Sequence, residues 1–86
     1  MTFRIDYDNQ SKKFLKNQDK ILAKRIMDEV DLLSSNQVPH DSKRMQGQKE
    51  QTFRIRIGKY RVVYRINYEN NLIVVVKIDK RGRVYD

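Results

Sequence analysis

Apolar and polar positions alternate from the start of the chain: Phe3, Ile5 and Tyr7 are interleaved with Thr2, Arg4 and Asp6, a period of two that predicts a short strand with one apolar face. The period then lengthens. Asp8 or Asn9 can cap a helix running to about Asn17, in which Phe14 and Leu15 form a narrow apolar stripe among Lys12, Lys13 and Lys16. Asp19 suits the cap of a second helix, where Leu22, Ile26, Val30 and Leu33 recur at helical spacing and Ile21, Ala23 and Met27 are expected to widen the stripe. That helix stops near "SSNQVP", because Pro39 disfavours helix in the residue before it.

From Asp41 to Glu50 the segment "DSKRMQGQKE" is polar and without period, a loop that can include a short strand near Met45. The remainder alternates as strand. Gly58-Lys59 has the Gly-X form of a two-residue hairpin turn, and "YENNL" supplies a second turn at Glu69 to Asn71. With the first turn fixed, Ile57 pairs with Tyr60, Arg56 with Arg61 and Ile55 with Val62. Phe53, Ile55, Ile57, Val62, Tyr64 and Ile66 then share one face. A three-residue second turn brings Leu72, Val74, Val76 and Ile78 onto the same face, and Tyr60 and Tyr68 have the same parity. The fold expected is α+β: two N-terminal helices packed on one face of a small, mainly antiparallel twisted sheet, with all 86 residues in a single domain.

The other face is dominated by charge. It collects Arg54, Arg56, Arg61, Arg65 and Lys77, and the facing pair Arg56 and Arg61 costs stability in a sheet, with Asp79 the acid near enough to offset it. Of 19 Lys and Arg residues against 11 Asp and Glu, nine fall between Arg54 and Arg83, where the acids are Glu69 and Asp79. A solvated face would have no need of this bias, nor of arginine over lysine. Guanidinium forks match phosphate oxygens in pairs, so a net charge of +8 concentrated in this way points to a polyanion, and to nucleic acid first.

Other chemistry is thin. The chain has no cysteine, hence no thiolate metal site or disulfide, and its one histidine, His40, sits beside Pro39 in a loop. That excludes a paired-histidine ribonuclease, and neither a metal nor an organic cofactor is expected. No apolar run approaches a membrane span and the N-terminus has no signal-peptide pattern, so a soluble, cytoplasmic protein is expected. Tyr85 follows the cationic run "KRGR", where an aromatic ring can stack on a base.

The stretch "FRIRIGKYRVVYRI", followed by "LIVVVKIDKRGRVY", resembles the RelE/ParE superfamily of type II toxin-antitoxin toxins, and the RelE branch most closely. The shared pattern covers nearly the whole chain: two basic places separated by an apolar residue, then G-x-Y-R-x-x-Y, an apolar strand and a final K-R with V-Y. The resemblance implies a RelE-like fold and a ribosome-dependent messenger-RNA endonuclease that enters the A site, cuts the codon there and is silenced by an acidic, RelB-like antitoxin. It implies catalytic places at Arg54, Arg56, Arg61, Arg81 and Tyr85, with RNA-binding groups at Arg65, Lys77, Lys80 and Arg83. The reaction would be attack of a ribose 2′-hydroxyl on the adjacent phosphate. The two basic places are usually lysine in the RelE pattern, one of them suspected of taking the proton, whereas arginine is a poor base. Two alternatives remain open: a ParE-like toxin that poisons gyrase, and a non-catalytic nucleic-acid-binding module.

Overall fold

A computed structural model describes residues 2–47 and 51–80. In chain order the elements are β1 (Arg4–Tyr7), α1 (Asn9–Lys16), α2 (Lys20–Asp31) with a 3-10 turn at Leu32–Ser34, β2 (Lys43–Arg44), β3 (Gln51–Ile57), β4 (Tyr60–Asn67) and β5 (Leu72–Lys80). The sheet has the order β1-β5-β4-β3-β2; β1 runs parallel to β5 and every other neighbouring pair is antiparallel.

Both helices begin where an aspartate satisfies an otherwise orphan backbone donor: Asp8 accepts from Ser11 N at 2.9 Å and Asp19 from Leu22 N at 2.9 Å. Beyond the end of β1, α1 closes the edge of β5. The Gln10 side-chain amide donates to Ile78 O (3.3 Å) and accepts from Ile78 N (3.2 Å), and the buried Ser11 hydroxyl donates to Val75 O (3.1 Å). Strand pairing is thus continued by side chains where the strand itself has ended.

The core lies between the helices and one sheet face. Leu15, Ile26, Val30 and Leu33 meet Phe53, Ile55, Ile57, Val62, Tyr64, Ile66, Ile73, Val75 and Ile78. Full burial of one such aliphatic side chain is worth about 1.5–3 kcal/mol. Leu22 and Ala23 pack at the margin of this core, but Ile21 and Met27 do not widen it: Ile21 is 85% exposed and Met27 40%.

The first hairpin has the register the turn dictates, with Ile57 opposite Tyr60, Arg56 opposite Arg61 and Ile55 opposite Val62. Positive φ falls on Gly58 (59°) and not on Lys59, as a Gly-X turn requires. The second connection differs from expectation. β4 ends at Asn67 and β5 starts at Leu72, leaving four residues in the loop; there Asn67 Oδ1 accepts from Asn70 N at 3.0 Å and Asn71 takes a φ of 50°. Val62 faces Ile78 and Val63 faces Lys77, but Tyr64 then faces Val75, so Val76 has no partner on β4. This bulge reverses the parity. Ile73 and Val75 are therefore the buried residues, while Leu72, Val74 and Val76 are only partly covered. Tyr64 is fully buried as expected, whereas Tyr68 sits in the loop, 53% exposed, with its ring edge-on to Phe3.

Candidate nucleic-acid interface

Among the described residues no helix covers the second sheet face. Arg54 and Arg56 on β3, Arg61 and Arg65 on β4, and Lys77 on β5 stand on it together, because they occupy matching parities across the two hairpins. Beside Arg61, Arg65 and Lys77 runs a shallow trough of about 450 Å³, lined by these three with Asp8, Met45, Thr52, Val63 and Val76. Thr52 and Val63 are 2% and 8% exposed, giving the trough a closed floor beneath long cationic side chains.

The charges are arranged unequally. Arg61 donates through Nε to Asp79 Oδ1 at 3.2 Å and through Nη2 to Asp79 Oδ2 at 3.0 Å, a two-pronged pair directly across the β4–β5 ladder. Lys77 Nζ lies 3.7 Å from the same carboxylate. Asp79 thus offsets the repulsion between Arg61 and Arg56. Arg54 has a different environment: Lys43 of β2 is its neighbour on one side and Val63 on the other. Its Nη1 is buried and makes no hydrogen bond among the described residues. A small cavity of about 70 Å³ opens here, lined by Asp41, Lys43, Arg54 and Arg56.

Lys80 is placed apart from this group. It pairs with Tyr60 at the end of β5, and so has the parity of the helix-covered face. Arg81, Arg83 and Tyr85 lie outside the described residues. Lys43 and Asp41 are the residues that sequence reading missed. They come from the aperiodic segment after Pro39, and only the pairing of Lys43 with Arg54 brings them to the face.

Two tyrosines anchor the scaffold below. Tyr64 donates from its hydroxyl to Gln37 O at 2.7 Å, and burial pushes its phenol up to about 12. Tyr7 is also pushed up to about 12, by burial first and the Asp31 charge second, and its buried hydroxyl has no hydrogen-bond partner among the described residues. Those residues include no grouping of side chains able to hold a metal ion, and no helix among them is long and apolar enough to cross a membrane.

Residues 5–85 match the family model for the ParE toxin of the type II toxin-antitoxin system parDE. The chain belongs to this toxin family. Within it the chain is similar to a protein of Methanocaldococcus jannaschii named "Putative toxin RelE1", at 31% identity over 99% of this chain and 97% of the relative. The toxin fold is also that of an archaeal RelE-RelB complex from Pyrococcus horikoshii, with a TM-score of 0.83, 31% identity, and coverage of 98% of this chain and 100% of the other. The Escherichia coli RelBE toxin-antitoxin complex matches at a TM-score of 0.79 over 94% of this chain and 99% of the other, where 17% identity shows likeness of fold alone. The RelE-like architecture expected from sequence, two helices on a largely antiparallel sheet, is therefore the one found.

Proposed function

We propose that this RelE-family toxin acts in the cytoplasm as a ribosome-dependent endonuclease that cuts messenger RNA in the A site. The observation that supports the reading is the open sheet face, where Arg54, Arg56 and Arg61 stand side by side with no helix among the described residues above them, at the basic places of the family pattern. A ribose 2′-hydroxyl attacks the adjacent phosphate in this reading, and charge accumulates on the phosphorane oxygens. Arg54 and Arg56 are donors without an ion-pair partner among the described residues, and so are available to that charge, while the fork to Asp79 sets the orientation of Arg61. Arg65 and Lys77 hold flanking phosphates beside the trough, and Arg83 is a further RNA contact in this reading, whereas Lys80 has the opposite parity. Arg81 stabilises the phosphate or leaving oxygen, and Tyr85 stacks on a base to keep the strand in line for attack.

The RelE chains of related structures are crystallised with RelB. An acidic, RelB-like antitoxin is the corresponding partner here, and its attraction to a +8 chain makes association fast and salt-sensitive. The ParE name of the matching family model keeps gyrase poisoning as the second reading. Primer extension on cellular messages after induction separates the two: discrete cuts within translated codons support the endonuclease, whereas intact messages with inhibited supercoiling support the gyrase poison.

A further inference from the structure

Attack by a 2′-hydroxyl requires a group to take its proton. Arginine, with a pKa above about 12, does not serve as the base. We infer that Asp41 is the proton acceptor, completing with Lys43, Arg54 and Arg56 a site for one ribose and its 3′-phosphate; this rests on the endonuclease reading above.

Three observations carry the assignment. Among the described residues the cavity of about 70 Å³ beside β3 is lined by these four alone, one carboxylate among three cations. Arg54, which lines this cavity, makes no ion pair among the described residues and so brings its charge to the site unneutralised. The Asp41 carboxylate, finally, makes no hydrogen bond or ion pair with a described residue, despite its cationic surroundings.

The other acids nearby are engaged or displaced. Asp79 is held by the Arg61 fork and by Lys77, and Asp8 caps α1 through Ser11 N. Glu29 lines a neighbouring groove under the end of α2, not the Arg54 cavity, and His40 lines neither.

In the step itself the O2′–H bond breaks and its proton passes to an Asp41 carboxylate oxygen as O2′ bonds to phosphorus. The P–O5′ bond breaks, and the 5′-oxygen takes a proton from water. The products are a 2′,3′-cyclic phosphate and a 5′-hydroxyl, and Asp41 returns its proton to the hydroxide left in solvent. Arg54, Arg56 and Lys43 hold the phosphate oxygens throughout.

The test is single-turnover cleavage on programmed ribosomes, with ribosome binding measured alongside. Asp41→Asn is expected to slow cleavage by about 10²–10³-fold. Its binding is unchanged or tighter, since a negative charge has left a cationic cavity, and Asp41→Glu recovers part of the rate. Asp41→Ser carries the same comparison if Asp41→Asn melts early. Cleavage by Asp41→Asn within a few-fold of wild type, or a defect confined to binding, overturns the inference. Failure of the wild type to cleave at all is a separate result, which removes the endonuclease reading and the inference with it.

Discussion

Asp79 faces Arg61 across β4 and β5 and binds both Nε and Nη2 of its guanidinium, at 3.2 and 3.0 Å, with both side chains about three-quarters shielded from solvent. Two charge-assisted hydrogen bonds in a largely shielded site are stronger than a surface ion pair. Asp79→Asn removes the acid that offsets Arg56, Arg61 and Lys77. It is expected to cost about 2 kcal/mol in chemical denaturation and to weaken function by releasing Arg61 from its fixed orientation.

Arg56 gives the opposite result. It faces Arg61 in the hairpin ladder and makes no ion pair among the described residues. Arg56→Ala should leave stability unchanged or raise it slightly while reducing growth inhibition, because like charges opposed in a sheet repel. Thermal melts set beside growth assays decide the matter. A clear loss of stability with full toxicity would make Arg56 a structural residue.

The buried Tyr64 and the partly buried Tyr7 predict an alkaline limit. Tyr7 and Tyr64 are both raised to about 12 in the folded chain from 10.0, so their contribution is intact below pH 10. Above that pH the unfolded chain ionises first, and stability falls as pH rises toward 12. The two sites differ on mutation. Tyr64→Phe loses the bond to Gln37 O and is expected to cost about 1 kcal/mol, whereas Tyr7→Phe deletes an unsatisfied hydroxyl and is expected to be neutral or stabilising. Denaturation of the two variants at neutral and alkaline pH checks both signs.

Arg81 and Tyr85 are tested by rate. Arg81→Ala should slow cleavage by about a hundredfold, on the order of 3 kcal/mol, with little change in ribosome affinity. Tyr85→Phe keeps the stacking ring and most of the activity; Tyr85→Ala loses it, stacking being worth about 1–3 kcal/mol. Equal defects in the two tyrosine variants would point to the hydroxyl instead.

The hairpin around Gly58 was legible because one turn type fixes one register, and the charged parity followed from it residue by residue. At the upper end of β5 the expected faces held too, with Ile78 on the apolar side opposite Val62 and Lys77 on the charged side. Below Val76 the reading slipped by one residue. In "LIVVV" both parities are apolar, so alternation carries no information about which residues face the helices, and a bulge leaves no mark. Ile21 and Met27 misled for a related reason, since an apolar residue beside a helical stripe need not be within reach of the sheet. Lys43 and Asp41 were hidden more deeply. Their place beside Arg54 depends on a two-residue strand pairing across a polar segment, a long-range contact with no local period to announce it.

The most direct measurement of the central claim is cleavage of a defined messenger by purified toxin on ribosomes programmed with one codon in the A site, compared with the same RNA free in solution. The prediction is a single cut within that codon, dependent on the ribosome and slowed by about a hundredfold or more in the Arg54→Ala, Arg56→Ala double variant. An intact messenger on the ribosome, or a double variant that cuts as fast as wild type, would contradict it.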